Sequence, residues 1–302
     1  MTETWTVLAS GSGGNTSLLT IGQQGLLVDL GLGPRQFENR FRSVGFAWDR
    51  VRAVVLTHAH ADHWHDSVWS KLIEHRIPFY CHASHVRAIQ LASRRFPEVL
   101  LAGLVRNYTQ NRPFQPLPGV RCRAFPVKHD GGPTFGFRLE DDTNSAGVPA
   151  WAVGYVADLG TWDRSVALAL ADVDLLAVEF NHDVDLQRAS GRARWLINRV
   201  LSDVGHLSNL QAGQLVDECL RLSRSVRMQH LIQLHLSGEC NRPDLAQAAA
   251  RAVIAPLGWP IELHTAEQNQ PGRTISLTRP RGLFSAEALQ GLSPAPRATH
   301  KV

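Results

Sequence analysis

The run His58-Ala59-His60-Ala61-Asp62-His63 constrains this chain more than any other feature, because of what precedes it. Residues 51–57, VRAVVLT, are almost wholly apolar, the pattern of a strand buried on both faces. Four side chains able to ligate a metal therefore fall within six residues at the C-terminal end of a buried strand. The loop there can turn His58 and His60 toward one ion and Asp62 and His63 toward a second. Imidazole and carboxylate donors suit zinc, manganese or iron. A chance surface cluster is the competing reading in a chain with 14 histidines in 302 residues. An aspartate at that place, directly after an all-apolar strand, argues against chance.

Further ligands must come from elsewhere in the chain. Three residues share the same setting: His129 follows RAFPVK, Asp158 follows AVGYVA and His235 follows LIQL, each at the end of an apolar run. One histidine at a strand end is usually just a hydrogen-bonded polar residue. Three in succession downstream of the first motif point to a shared site.

The surrounding pattern is mixed α/β. Residues 5–9, 17–21 and 26–30 read as strands, the last two forming a hairpin around Gly22–Gly25. Helices are expected at 34–45, 64–75, 84–95, 166–171, 190–203, 208–224 and 243–255. Strands are expected at 51–57, 77–81, 120–127, 134–139, 151–157, 173–179, 230–234, 259–265 and 274–278. This order fits an αββα sandwich, two mixed β-sheets face to face with helices outside. It forms one domain over residues 1–279, followed by a tail at 280–302 that lacks periodicity and is expected to be partly disordered. Gly11-x-Gly13 after a strand suggests a dinucleotide fingerprint, but the third glycine is replaced by Thr16 and no crossover helix fits before Leu26.

Composition narrows the function. Hydrophobic residues make up 44% and charged residues 19%, as in an ordinary globular protein, and no run approaches the roughly 20 apolar residues of a membrane span. The start shows no basic segment with an apolar stretch behind it, so a cytoplasmic location is expected. Cys81, Cys122, Cys219 and Cys240 form no C-x-x-C pair and read as reduced structural thiols. Net charge is +4, and lysine occurs only at Lys71, Lys128 and Lys301, so arginine carries nearly all the positive charge. Arginine pairs with phosphate in bidentate fashion, which suits an anionic substrate.

Taken together, T-H-A-H-A-D-H, K-H-D, A-D-L-G and L-H-L-S resemble the ligand motifs of the metallo-β-lactamase superfamily. L-A-S-G-S-G-G-N at 8–15, L-L-V-D-L-G at 26–31, E-F-N-H-D at 179–183 and G-H-L-S-N at 205–209 resemble its WalJ/YycJ-like branch, over about residues 5–265. The resemblance implies a nuclease or exonuclease of the phosphodiesterase type, acting on DNA or RNA through a hydroxide held between two divalent ions. Zinc is the first choice, with manganese or iron as alternatives. His58, His60 and His129 would hold one ion, and Asp62, His63 and His235 the other. Asp158 would bridge both, and Asp62 would orient the hydroxide.

Gly205-His206-Leu207-Ser208 is similar to a G-H-S-T segment of ribonuclease Z. By that likeness His206 would donate a proton to the leaving oxygen, with Glu179 as its partner; a Glu–His pair raises the imidazole pKa and fixes its orientation. Ser208 or Asn209 also reads as a helix N-cap. Asp29 is expected behind the site as acceptor for a ligand imidazole N–H. Asn15 and its glycine loop are expected to line the substrate mouth with backbone N–H groups. Asp130, Asn181, His182 and Asp183 are expected nearby. Trp64-His65 replaces the small residues common after Asp-His in the superfamily, which predicts a bulky wall beside the site. Trp64, Trp69, Trp162 and Trp195 are candidates for base stacking, set against an ordinary core role. The alternatives are a small-molecule hydrolase on the same fold, cleaving a lactone, thioester or cyclic phosphodiester, and a non-catalytic metal-binding regulator. A nucleic-acid partner is expected and a membrane is not; a dimer is compatible with the sequence.

Overall fold

Fourteen strands pair into two sheets in a computed structural model that describes residues 3–142, 148–225 and 227–277. The first sheet contains β1 (Glu3–Ala9), β2 (Thr16–Ile21), β3 (Gln24–Val28), β4 (Val51–Val55), β5 (Phe79–His82) and β6 (Val105–Tyr108), in that spatial order. The second contains β7 (Pro113–Leu117), β8 (Val120–Val127), β9 (Thr134–Asp141), β10 (Ala152–Val156), β11 (Leu175–Glu179), β12 (His230–Leu234) and β13 (Glu262–Thr265), again in spatial order. Strand β14 (Ile275–Ser276) returns to the first sheet and pairs antiparallel with β1. Both sheets are mixed, and helices lie outside them: the αββα sandwich expected from the sequence.

Alternation explains the layers. Trp5, Leu19, Val55, Phe135, Phe137, Tyr155 and Leu234 point between the sheets and form one buried cluster. The opposite faces bury two further clusters against helices. Phe37 and Phe41 of α1 (Pro34–Ser43) cover the first sheet. Leu215 and Val216 of α8 (Asn209–Leu222) and Ala246 and Ala250 of α9 (Pro243–Ile254) cover the second. Strands β4 and β11 are buried on both faces and parallel to their neighbours, which is why they read as continuous apolar runs. Fully burying one such side chain stabilises the fold by about 1.5–3 kcal/mol.

Some expectations shift. The helix expected at 64–75 is a short 3-10 turn at Asp66–Val68 and then α2 (Trp69–Glu74). The one expected at 190–203 is shortened to α7 (Arg194–Val200), preceded by an unexpected α6 (Val184–Ala189), with Gly191 at φ 68° between them. Helix α4 (Phe96–Leu101) and strands β6 and β7 were not expected. Strand β7 carries Pro113 and Pro116, which fit only because it is the sheet edge. The tail at 280–302 and the end of the strand expected at 274–278 lie outside the described residues. Among the described residues no helix is long and apolar enough to cross a membrane.

Parallel pairing places the site. Strand β4 ends the first sheet's contribution, and β8, β10, β11 and β12 all run in one direction, so His129, Asp158, Glu179 and His235 emerge at one end of the second sheet. Glu179 lies in register with Leu234, which sets it beside His235.

Candidate metal centre

The loop after β4 folds back on itself through backbone contacts. Asn15 N–H donates to the Asp62 carbonyl at 2.8 Å, and Leu30 N–H to that of His63 at 2.8 Å. A Cβ on Gly31 would fall 1.9 Å from the Asp62 carbonyl oxygen, so this approach requires glycine. Gly131 is constrained in the same way: its φ is 82° and a Cβ would meet His60 Nε2. The loop's chemistry therefore rests on glycines in two neighbouring segments.

His58, His60 and His129 come together as one possible ligand group. Thr57 Oγ1 lies 3.0 Å from His58 Nδ1, and the Gly205 carbonyl lies 2.9 Å from His129 Nδ1, which leaves both Nε2 atoms for the site. Burial and the neighbouring imidazole of His63 hold His58 well below the usual histidine range, and burial lowers His60 as well. Neutral imidazole offers the lone pair that a metal needs.

A second group gathers around Asp158. Its Oδ2 lies 2.5 Å from His63 Nε2 and its Oδ1 3.1 Å from His235 Nδ1. Asp62 Oδ2 is 3.6 Å from both His63 Nε2 and His235 Nε2. Burial alone would lower the pKa of His63 and His235, but the carboxylates outweigh it. Asp29, Asp62 and Asp158 hold His63 well above its usual value; Asp158, Asp62 and Glu179 push His235 up to about 10. The same field favours a divalent cation. Both oxygens of Asp158 and Nε2 of His235 are buried and, beyond these close ionic contacts, make no well-formed hydrogen bond among the described residues. Buried polar atoms are seldom left so. Imidazole and carboxylate atoms left open in this way fit divalent metal ions.

Asp29 sits where the sequence suggested. Its Oδ2 accepts from His63 Nδ1 at 2.8 Å, and its Oδ1 accepts from Thr57 N–H at 2.8 Å. Thr57, which sequence reasoning passed over, touches Asp29, His58 and His63 through a single hydroxyl. Its place just before the first ligand was the available signal. Asp29, Asp158 and His235 all adopt left-handed backbone, with φ of 65°, 56° and 54°. Such backbone costs non-glycine residues of order 1–3 kcal/mol and concentrates at functional positions.

Glu179 is the hub of the second sheet's share. One oxygen lies 2.7 Å from His206 Nδ1 and 3.2 Å from His235 Nδ1; the other accepts from Leu159 and Leu207 N–H at 3.1 and 3.0 Å. Burial would raise its pKa, but the two histidines and these bonds bring it to about 2. Burial would lower His206, and the Glu179 carboxylate reverses that and holds it above its usual value. With Nδ1 on Glu179, Nε2 is the remaining nitrogen of an imidazole that borders two adjoining cavities, of about 200 and 420 Å³.

Other candidates separate. Asn181 borders the larger cavity and its amide nitrogen donates to the His235 carbonyl at 2.9 Å. Asp130 accepts from two Arg199 nitrogens, Nε and Nη2, beside His129. Asp183 caps α6. Ser208 caps α8 in a reciprocal box with Gln211 and does not border either cavity. His182 is buried, pushed down to about 4 by burial, and outside the ligand groups. Asn15 does reach the centre, with its amide nitrogen 3.2 Å from Asp62 Oδ2 and 3.1 Å from His63 Nε2.

Two expectations fail. The glycine loop does not offer a run of free N–H groups: Gly11 donates to Asn15, Gly13 to Gln268 and Gly14 to Gly11, so the loop and Gln268 take up these donors. Nor does Trp64 form a wall at the site. It is 6% exposed and stacks on Trp69 in the core under the first sheet, where apolar area is better spent. Trp162 also packs inward, with its indole N–H on the Gln211 carbonyl. Trp195 is 69% exposed on α7. It shares a helix face with Arg199, four positions on. Arg192 and Arg199, which sequence reasoning did not single out, line the larger cavity together with Ser12 and His206.

The chain matches the family model of the beta-lactamase superfamily domain over residues 25–235. It is similar to the exodeoxyribonuclease YycJ of Bacillus anthracis, at 24% identity over 276 residues, 88% of this chain and 96% of that protein. It is also similar to the exodeoxyribonuclease WalJ of Streptococcus pneumoniae, at 28% identity over 243 residues, 80% of this chain and 84% of that one. Among solved structures, the metallo-beta-lactamase fold protein YhfI from Bacillus subtilis superposes with a TM-score of 0.61 at 18% identity, covering 90% of this chain and 99% of that one. That last likeness speaks for the fold.

Proposed function

This chain belongs to the beta-lactamase superfamily, and we propose that within it the protein is a two-metal phosphodiesterase that degrades DNA as an exonuclease. The observation that carries the reading is the Glu179–His206 pair at 2.7 Å, set beside the ligand groups and bordering both cavities. Phosphodiester cleavage needs a proton at the leaving oxygen, and an imidazole held protonated by a buried carboxylate supplies it. The two similar proteins named exodeoxyribonucleases support DNA as the polymer.

His58, His60 and His129 would hold one ion, Asp62, His63 and His235 the other, with Asp158 facing both. When bound, two divalent ions lower the pKa of water and neutralise charge on the transferring phosphoryl group. Asp62, fixed by Asn15, orients the attacking water. Glu179 holds His206 in place while Nε2 gives up its proton. Arg192 and Arg199 line the path by which a phosphate chain enters, and guanidinium suits phosphate better than it suits a neutral lactone or thioester. The exposed indole of Trp195 offers a face for a base next to that path.

The test is to incubate the purified chain with end-labelled single- and double-stranded DNA and RNA, with Mn²⁺ or Zn²⁺. Nucleotides released stepwise from DNA ends are expected, and the Asp62→Ala, His63→Ala double variant should release none. Equal cleavage by the variant would remove the assignment of the site. Internal fragments would overturn the exonuclease reading, and intact polymers throughout would overturn the nuclease reading itself.

A further inference from the structure

The far end of the second sheet carries another cluster that the proposed reaction does not use. His230 begins β12, and Glu262 and His264 lie on β13. His230 is in register with Glu262 across the parallel pair, and His264 stands two residues on. Side chains two apart share a sheet face, so all three project to the same side. His235 stands five positions after His230, which puts this cluster roughly 16 Å from the metal centre along β12.

Three atoms converge there. His230 Nδ1 lies 3.3 Å from His264 Nε2 and 3.3 Å from Glu262 Oε2; His264 Nε2 lies 3.8 Å from the same Glu262 oxygen. A tetrahedral zinc ion with bonds of about 2.0–2.2 Å to nitrogen and oxygen spaces its ligand atoms about 3.3–3.5 Å apart. The triangle is thus near the size of one face of such a site. The other Glu262 oxygen is engaged by Arg273, whose Nη1 lies 2.6 Å away. That contact turns Oε2 toward the two imidazoles, as outer partners of metal-binding carboxylates do. The imidazole side chains are 18% and 17% exposed, so an ion can reach them from solvent. A cavity of about 240 Å³ borders His264 and Arg273, which leaves room for water at a fourth position.

We propose that His230, Glu262 and His264 form a second, separate site for a divalent transition-metal ion, zinc by its donor set. The ion would pin edge strand β13 to β12 and, through Arg273, steady the segment leading into β14. Its role is structural, and it does not depend on the reaction assigned to the main centre.

The test is zinc content by elemental analysis after dialysis of the whole chain against Zn²⁺, with thermal unfolding alongside. His264→Ala and His230→Gln should each hold one ion fewer per chain than the parent, and lose part of the rise in Tm that Zn²⁺ gives. Zinc content and Zn²⁺-dependent Tm equal to the parent's in a folded variant would overturn the proposal, leaving an Arg–Glu–His hydrogen-bond cluster. If His264→Ala does not fold, His230→Gln keeps a polar amide at the position and carries the measurement. In crystals grown with zinc, anomalous scattering between the three side chains is expected, and its absence there while the main centre is occupied would also overturn the proposal.

Discussion

The two proposed ligand groups are built in opposite ways. His58, His60 and His129 form a cluster of imidazoles in which burial keeps His58 and His60 below their usual pKa, which leaves neutral lone pairs for the proposed metal. Asp62, His63 and His235 gather around carboxylates strong enough to hold two buried histidines above theirs. On the proposed assignment one position would attract a cation by donor atoms and the other by charge. Asp158 touches both groups, lying 3.8 Å from His58 Nε2 and 2.5 Å from His63 Nε2. On the proposed assignment the two positions would draw a cation by different means, so they are expected to fill at different metal concentrations. The contrast also implies that the residue most costly to lose is the one they share.

Asp158→Asn breaks that sharing and carries the largest expected effect. Nuclease activity should fall on the order of 10⁴-fold, as for residues that act as a unit, and metal content should fall at both positions. Activity within tenfold of the parent would show that Asp158 is not shared. His206→Ala comes next. His206 is outside the proposed ligand set, although it converges with Asp158, Glu179 and His235, so metal content should hold while cleavage slows about 10³-fold, within the range of a positioned general acid. A nitrophenyl phosphodiester, whose leaving group needs no proton, should be cleaved by the variant nearly as well as by the parent. An equal loss on both substrates would assign His206 a merely structural part.

The same contrast explains what the sequence made legible. The ligands of the first loop are contiguous, and an all-apolar strand announces them, so His58, His60, Asp62 and His63 stand out at once. His129, Asp158 and His235 are separated by many residues, yet each ends a strand, and parallel pairing brings strand ends together. Glu179 was traceable for the same reason. The three-dimensional relations were not. Thr57 and Arg199 act through contacts with residues up to 69 positions away, and no local pattern encodes such pairings. Trp64 misled because a bulky residue next to a ligand says nothing of which way it points; here it turns into the core. Strands β6 and β7 escaped because prolines and polar residues on edges lack the apolar run that betrays a central strand.

Asp29→Asn separates the two positions. Asp29 touches His63 directly and reaches His58 only through Thr57. Losing an outer carboxylate partner typically costs 10–100-fold in metal affinity. Zinc titration of the chelated protein should therefore show one weakened step of about that size and one unchanged step. Two equally weakened steps would mean that the groups are coupled more tightly than their geometry suggests.

Trp195→Ala is expected to do least, because it touches neither group. Its indole is 69% exposed, so removal opens no cavity and should leave stability within about 0.5 kcal/mol. A base stacked on it would contribute about 1 kcal/mol, the low end for an exposed platform. That corresponds to roughly a fivefold rise in KM for single-stranded DNA, with kcat unchanged. A small phosphodiester fits the metal-centre cavity, which Arg199 lines but Trp195 does not, so its KM should not move. The pairing of those two results ties the polymer to the α7 side of the cavity. If both KM values rise together, Trp195 is steadying Arg199, four positions along the same helix face, rather than holding a base.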